Sequence, residues 1–240
     1  MTIPLLLPLV GGSWEWAFAI WSIPVVATLL LLATATPHQA RDRLVKTMRW
    51  WPDWHDRRLW QVGFLLGGTG GLYFSANAFI PDYLHATGRP ELVGPCLSAL
   101  NIAQLPASAV ILMFARRLTG SRAPLVASTV LAAIGITLFL VRPDFAFIAT
   151  SIIGFCGGIQ LVLSLALPPL LAPPHEVHRM SAGMFAIGYL TSFAIPPIGG
   201  AIWDLTGVPA MAFSAAAAAI VLAFASAASL SSFARTAPAA

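Results

Sequence analysis

Charge is scarce in this chain: only 9% of its 240 residues are charged, while 58% are hydrophobic. A soluble domain carries roughly a quarter charged residues, because its surface must face water. Too few charges exist here to cover such a surface, so a soluble globular protein is excluded at the first step. Cysteine is scarce too. Cys96 and Cys156 both fall inside apolar runs, which excludes a disulfide framework and leaves small buried thiols packed like alanine. No metal-binding pattern occurs. His175-Glu176-Val177-His178 places its histidines three apart beside Pro173 and Pro174, not as the His-Glu-x-x-His of a zinc helix, and reads as a polar turn. The cluster Gly67-Gly68-Thr69-Gly70-Gly71 has no following Lys and no preceding strand, so it is not a nucleotide loop. No cofactor is expected.

What the chain does contain is apolar sequence in long blocks. A bilayer core about 30 Å thick needs about 20 apolar residues of helix. The uncharged stretches run over 16–37, 59–81, 92–115, 123–141, 145–174, 180–203 and 205–234. Each can cross once and none comfortably twice, which predicts about seven transmembrane helices. Backbone groups cannot go unpaired in hydrocarbon, so runs of this length are helices, and the fold class is an all-α membrane bundle. Residues 1–12 are apolar but too short to cross. They lack the positive start and the cleavage site of a signal peptide, and resemble the end of a helix whose beginning is missing.

Lys and Arg set the orientation. With the amino terminus outside, the inner segments hold Arg41, Arg43, Lys46, Arg49, Arg57, Arg58, Arg116, Arg117, Arg122, Arg179 and Arg235, and the outer ones only Arg89 and Arg142. The net charge of +4 is therefore a topology signal, and nucleic acid is not an expected partner. The expected location is the cell (plasma or inner) membrane, multi-pass, with the carboxy terminus in the cytoplasm. One inner loop is long, 37–58, and ends in a tryptophan cluster (Trp50, Trp51, Trp54, Trp60) suited to the headgroup region. The expected organisation is 1–36 as a helix end plus the first span, 37–58 as a central loop, and 59–240 as a six-helix unit.

Asn, Gln and Tyr inside the spans are the informative polar residues. They occur as Tyr73 and Asn77, Asn101 and Gln104, Gln160, and Tyr189, on the second, third, fifth and sixth spans. The first, fourth and seventh spans have none. Side chains of this kind inside a bilayer usually face the bundle interior or a wet cavity. Any one of them can equally be glue between helices; the pattern over four helices points to a cavity. On the second span Gly63, Gly67 and Gly71 make one smooth ridge. Thr69, Tyr73 and Asn77 recur at the same step, with Thr69 about 200° around from Gly67. Ser98, Asn101, Gln104 and Ser108 repeat the theme on the third, and Gly154 and Gly158 form a small-xxx-small pair on the fifth, where Gly157, Gln160 and Ser164 share another face. Helix breakers fall on the same helices: Pro106, Pro168 and Pro169, and Pro196 and Pro197 with Gly199 and Gly200.

This arrangement resembles the carboxy-terminal half of the major facilitator superfamily of secondary transporters. In that family two six-helix halves are joined by a long cytoplasmic loop. The first span here, entered through Gly11-Gly12-Ser13-Trp14-Glu15-Trp16, is similar to its sixth helix, loop 37–58 to its central loop, and the remaining spans to helices seven to twelve. Phe114-Ala115-Arg116-Arg117-Leu118 sits where the family carries a basic loop signature, though without the usual acidic residue. The segment from Gly94 to Arg117 with Gln104-Leu105-Pro106, and Gly188-Tyr189 followed by Pro196-Pro197, are similar to the cyanate-permease-like branch.

The resemblance implies secondary transport of a small solute across the lipid bilayer, with Tyr73, Asn77, Asn101, Gln104, Gln160 and Tyr189 as cavity-lining, substrate-binding candidates. It also implies that a preceding half is missing, so that the chain is either part of a longer gene product or needs a partner chain. Two other classes remain as alternatives. A membrane-embedded enzyme would need a reactive constellation at membrane depth, and the spans lack internal His, Asp and Glu, so no enzyme activity is expected. A seven-helix receptor fits the span count, but not the long first loop.

Overall fold

The computed structural model describes residues 9–35, 51–119 and 121–230, which form two compact units divided after Met48. All regular structure among them is helical. Most of the expected central loop, and the apolar start of the chain, lie outside the described residues.

In the first unit, α1 spans Trp14–Ala35. Ser13 opens it as a cap, its hydroxyl accepting the Trp16 amide N–H at 3.4 Å and donating to Glu15 at 2.8 Å. Val25, Leu29, Leu30, Leu31 and Leu32 are all exposed within this unit. A helix apolar all round needs lipid or protein about it rather than water.

The second unit contains α2 (Arg57–Ala86), α3 (Val93–Ile102), α4 (Gln104–Leu118), α5 (Ala123–Val141), α6 (Ala146–Leu165), the short α7 (Pro168–Leu171), α8 (Val177–Thr206) and α9 (Ser214–Ser229). Among the described residues six stretches are long and apolar enough to cross a membrane: α1, α3 with α4, α5, α6, α8 and α9, the last five counted with their short 3-10 turns where these adjoin. The remaining expected span is α2. It is a 30-residue helix, but its glycines, Tyr73 and Asn77 dilute its hydropathy and it is not among the six. Its position explains why it needs less: fifteen of its residues are buried against protein, so it has little lipid to satisfy.

Small residues decide how α2 sits. A Cβ on Gly63, Gly67 or Gly71 would collide with Ile187, Thr191 or Ile195 of α8, so the ridge read from the sequence is the α2–α8 contact. Gly68 does the same toward α9, where a Cβ would meet the Ala219 carbonyl and Ala223. The alanine run of α9 is what permits that approach: Ala215, Ala216, Ala219, Ala223 and Ala227 are all buried. On α6, Gly154 abuts the backbone of Leu100 and Gly158 abuts Gln104 and Ala107. These contacts tie the broken α3–α4 segment to α6.

The third expected span, 92–115, is one apolar stretch over Pro90–Ala115, interrupted for a single residue at Ala103. Pro106 has no N–H to give the carbonyl four residues earlier, and the chain turns between Ile102 and Gln104. Pro196 and Pro197, in contrast, lie inside a continuous α8 rather than interrupting it.

At the two ends the charges differ. Arg58, Arg122 and Arg179 donate to the carbonyls of Leu171, Ala228 and Trp51 at 3.5, 3.0 and 2.8 Å, at the end where α4, α6 and α9 finish. Two of these guanidiniums meet carbonyls at helix C-termini, where the helix supplies no amide partner, and the third meets the entry segment. At the other end Arg89 pairs with Asp144 at 2.7 Å across two loops. The Asp144 side chain is 70% exposed, so the pair contributes little.

Candidate functional site: a cleft among the polar helices

A cleft of about 310 Å³ opens midway along α2, α6 and α8, at the start of α4. From α2 it takes Leu66, Thr69, Gly70, Tyr73 and Phe74; from α4, Gln104; from α6, Gly157 and Leu161; from α8, Tyr189 and Ser192. These four helices, with α3, are the ones on which the sequence carries Asn, Gln and Tyr. A larger groove of about 570 Å³ lies between α5 and α9, walled by Val130, Ile134, Ile220, Val221 and Phe224. It is almost wholly apolar, with Arg142 at its rim, and suits an acyl chain rather than a polar solute. A small-molecule site needs a few convergent polar groups, and those belong to the smaller cleft.

The six sequence candidates occupy three positions relative to this cleft. Tyr73, Gln104 and Tyr189 line it. Asn101 and Asn77 stand beside it in one network. The Tyr73 hydroxyl donates to Asn101 Oδ1 at 2.6 Å, and Asn101 Nδ2 donates to Asn77 Oδ1 at 3.3 Å and to the Leu97 carbonyl at 2.8 Å. Asn77 Nδ2 returns to the Tyr73 carbonyl at 2.9 Å. Gln160 sits one layer behind, only 3% exposed, bonded to Thr69 on α2 and, at 2.9 Å, to Thr129 on α5. On α6 it is three residues from Gly157, about 60° around the helix, which is enough to turn from the cleft into the core.

The residues missed by sequence reasoning are short hydroxyls and aromatic faces. A serine can bond its own helix anywhere in a membrane, so its residue type alone carries no signal. Ser192, which lines the cleft, instead donates across helices to the Gly67 carbonyl at 3.2 Å. Along α8, Phe185, Tyr189 and Phe193 recur at four-residue steps and stack, with Phe74 of α2 closing the row at 5.2 Å and 12°. The i, i+4 spacing was the available signal. Tyr189 is 50% and Phe193 62% exposed, so this row is presented outward beside the cleft.

Among the described residues no Asp, Glu, Lys or Arg lines the cleft. Among the described residues no group of His, Cys, Asp and Glu could hold a metal ion.

Helices of this length and composition, packed around a cleft with a few polar groups, make the chain a multi-pass helical membrane protein, and the proteins it is similar to are transporters. It is similar to the uncharacterized transporter YycB of Bacillus subtilis (strain 168), at 26% identity over 212 residues, covering 86% of this chain and 52% of that protein. It is similar as well to the 2-nitroimidazole transporter of Escherichia coli (strain K12), at 26% identity over 211 residues, 86% of this chain and 53% of that protein. The chain thus spans about half the length of the curated relatives it matches. No family model matches, and no solved structure matches.

Proposed function

We propose that this chain is the carboxy-terminal half of a secondary transporter of the major facilitator type, moving a small uncharged solute across the cell membrane. The observation that carries the reading is the cleft itself. It is a water-sized-to-solute-sized space midway along the helices, walled by Tyr73, Gln104, Tyr189, Thr69 and Ser192 and free of fixed charge. Two named transporters align with most of the chain while the chain covers about half of each, which is what one half of a two-half protein gives. The half-exposed Tyr189 and the outward Leu105, Leu190 and Phe193 form the face that a first half would meet, with substrate held between the two. The orientation is amino terminus outside and the arginine-rich end in the cytoplasm.

The test is uptake. The reading frame upstream of Met1 should supply the first half, and cells expressing the joined gene should accumulate a small neutral solute such as 2-nitroimidazole. A joined gene that moves none of a panel of neutral solutes overturns the proposal.

Coupling groups, where transport is proton-driven, belong to the other half, because this cleft offers no carboxylate. Asp82, Asp144 and Asp204 lie at helix ends or loops, and the Arg89–Asp144 pair is exposed. Replacing each by Asn should leave uptake by the joined protein within about twofold, the effect of an exposed ion pair being small. Loss of pH-gradient dependence from one such substitution would show that proton coupling resides here after all.

A further inference from the structure

We infer that the cleft recognises solutes through hydrogen bonds that they donate, namely flat, uncharged molecules carrying an N–H or O–H, because three of its four hydroxyls, those of Thr69, Tyr73 and Ser192, have already given their own protons to the protein. This rests on the transport reading above and narrows its substrate class.

Four hydroxyls belong to the lining, and three can be followed to an acceptor; the fourth, Tyr189, keeps its proton and can donate as well as accept. Tyr73 donates to Asn101 Oδ1 at 2.6 Å. Ser192 donates to the Gly67 carbonyl at 3.2 Å. Thr69 has two acceptors within reach, Gln160 Oε1 and, at 2.8 Å, the carbonyl of Leu65. Turning the Gln160 amide over does not release the Thr69 proton: Gln160 Nε2 would then donate to Thr69, and Thr69 would donate to Leu65. A hydroxyl has one proton and two lone pairs. With the proton committed, what each of these groups has left for a solute is a lone pair.

Gln160 and Thr129 hold this state from behind. Gln160 Nε2 donates to Thr129 Oγ1 at 2.9 Å, and Thr129 donates to the Leu125 carbonyl at 2.8 Å, so the amide is fixed at both ends in the buried core. Gln160 is a positioning residue, acting through Thr69. The cleft's side-chain amide, Gln104, can both donate and accept. Aromatic rings flank the same space, with Phe74 and Phe193 stacked at 5.2 Å, and a flat solute has a face to place against them. A cationic solute would need a carboxylate partner when desolvated, and none lines the cleft.

The test is equilibrium dialysis of the purified chain in detergent against three neutral probes: 2-nitroimidazole, its 4-methyl derivative and its 1-methyl derivative. The pH is kept below ionisation of the ring N–H. The two methyl compounds add the same volume, but only the 1-methyl compound loses the donor. The parent and 4-methyl probes are expected to bind alike and the 1-methyl probe about tenfold more weakly, the effect of one unmatched polar group. Tyr73→Phe and Thr69→Val should each shrink that ratio, and Thr69→Ser should restore it. Equal binding of all three probes, or a ratio unmoved by both substitutions, overturns the donor inference while leaving a transport role standing. No binding of any probe, together with no uptake of neutral solutes by the joined gene, overturns the transport reading and this inference with it.

Discussion

Gly154→Ala is expected to be the most damaging single methyl that can be added to this protein. The new Cβ would fall on the carbonyl of Leu100, and on its carbonyl carbon and Cα. These are backbone atoms of α3, and no rotamer change can move them aside. The clash can be relieved only by moving α3 away from α6, next to a segment already broken at residue 103. Overpacking a tight core costs typically 1–3 kcal/mol, and a backbone obstacle puts this site at about 3 kcal/mol. The gain in helix propensity from Gly to Ala, about 1 kcal/mol, does not offset it. Gly157 lies one turn further on the same helix, and a Cβ there meets nothing within 4 Å. Gly157→Ala should therefore leave stability within about 0.5 kcal/mol of the parent, or raise it slightly. Thermal unfolding in detergent, followed by loss of the monodisperse peak, separates the two. Equal melting of both variants would mean that α3 and α6 do not approach this closely.

The contrast between those two glycines shows where the sequence was legible. Recurrence every four residues identified Gly63, Gly67 and Gly71 as a packing ridge, because a helix of 3.6 residues per turn aligns them whatever lies opposite. The partner could not be read, since any helix with room would serve; it is α8, through Ile187, Thr191 and Ile195. Gly154 and Gly157 could not be ranked either, because their difference lies in how near Leu100 comes. The same limit applies to the polar residues. Asn, Gln and Tyr name the helices that surround a cleft, since only those helices carry groups that lipid would not tolerate. Which of these residues touches the cleft depends on about 60° of helix rotation, the angle that separates Gly157 from Gln160. The break after Ile102 follows from Pro106, whereas the same residue type at Pro196 and Pro197 leaves α8 unbroken. Proline therefore marked where a helix could bend without deciding that it would. Ser192 escaped notice for a different reason. Its bond to Gly67 depends on the α2–α8 approach that the glycines permit, and that is a tertiary fact.

The second large effect should come from Asn101. Its amide is fully used: Oδ1 takes the Tyr73 proton at 2.6 Å, and Nδ2 serves Asn77 and the Leu97 carbonyl at 3.3 and 2.8 Å. Asn101→Ala removes the acceptor that holds the Tyr73 hydroxyl, freeing that proton to point into the cleft. It also strands Asn77 Oδ1. The Tyr73 proton would then face the donor of the solute, and one mismatched hydrogen bond costs about 1–3 kcal/mol, so uptake by the joined protein should fall between about tenfold and a hundredfold. Stability should change less, because the Asn77 Nδ2 bond to the Tyr73 carbonyl survives. The decisive measurement is a double-mutant cycle with Tyr73→Phe. If Asn101 acts by holding the Tyr73 proton, then once that hydroxyl is gone the further loss of Asn101 should matter little. The double variant should then transport about as well as Tyr73→Phe alone. Losses that multiply would place Asn101 in direct contact with the solute, acting independently of Tyr73.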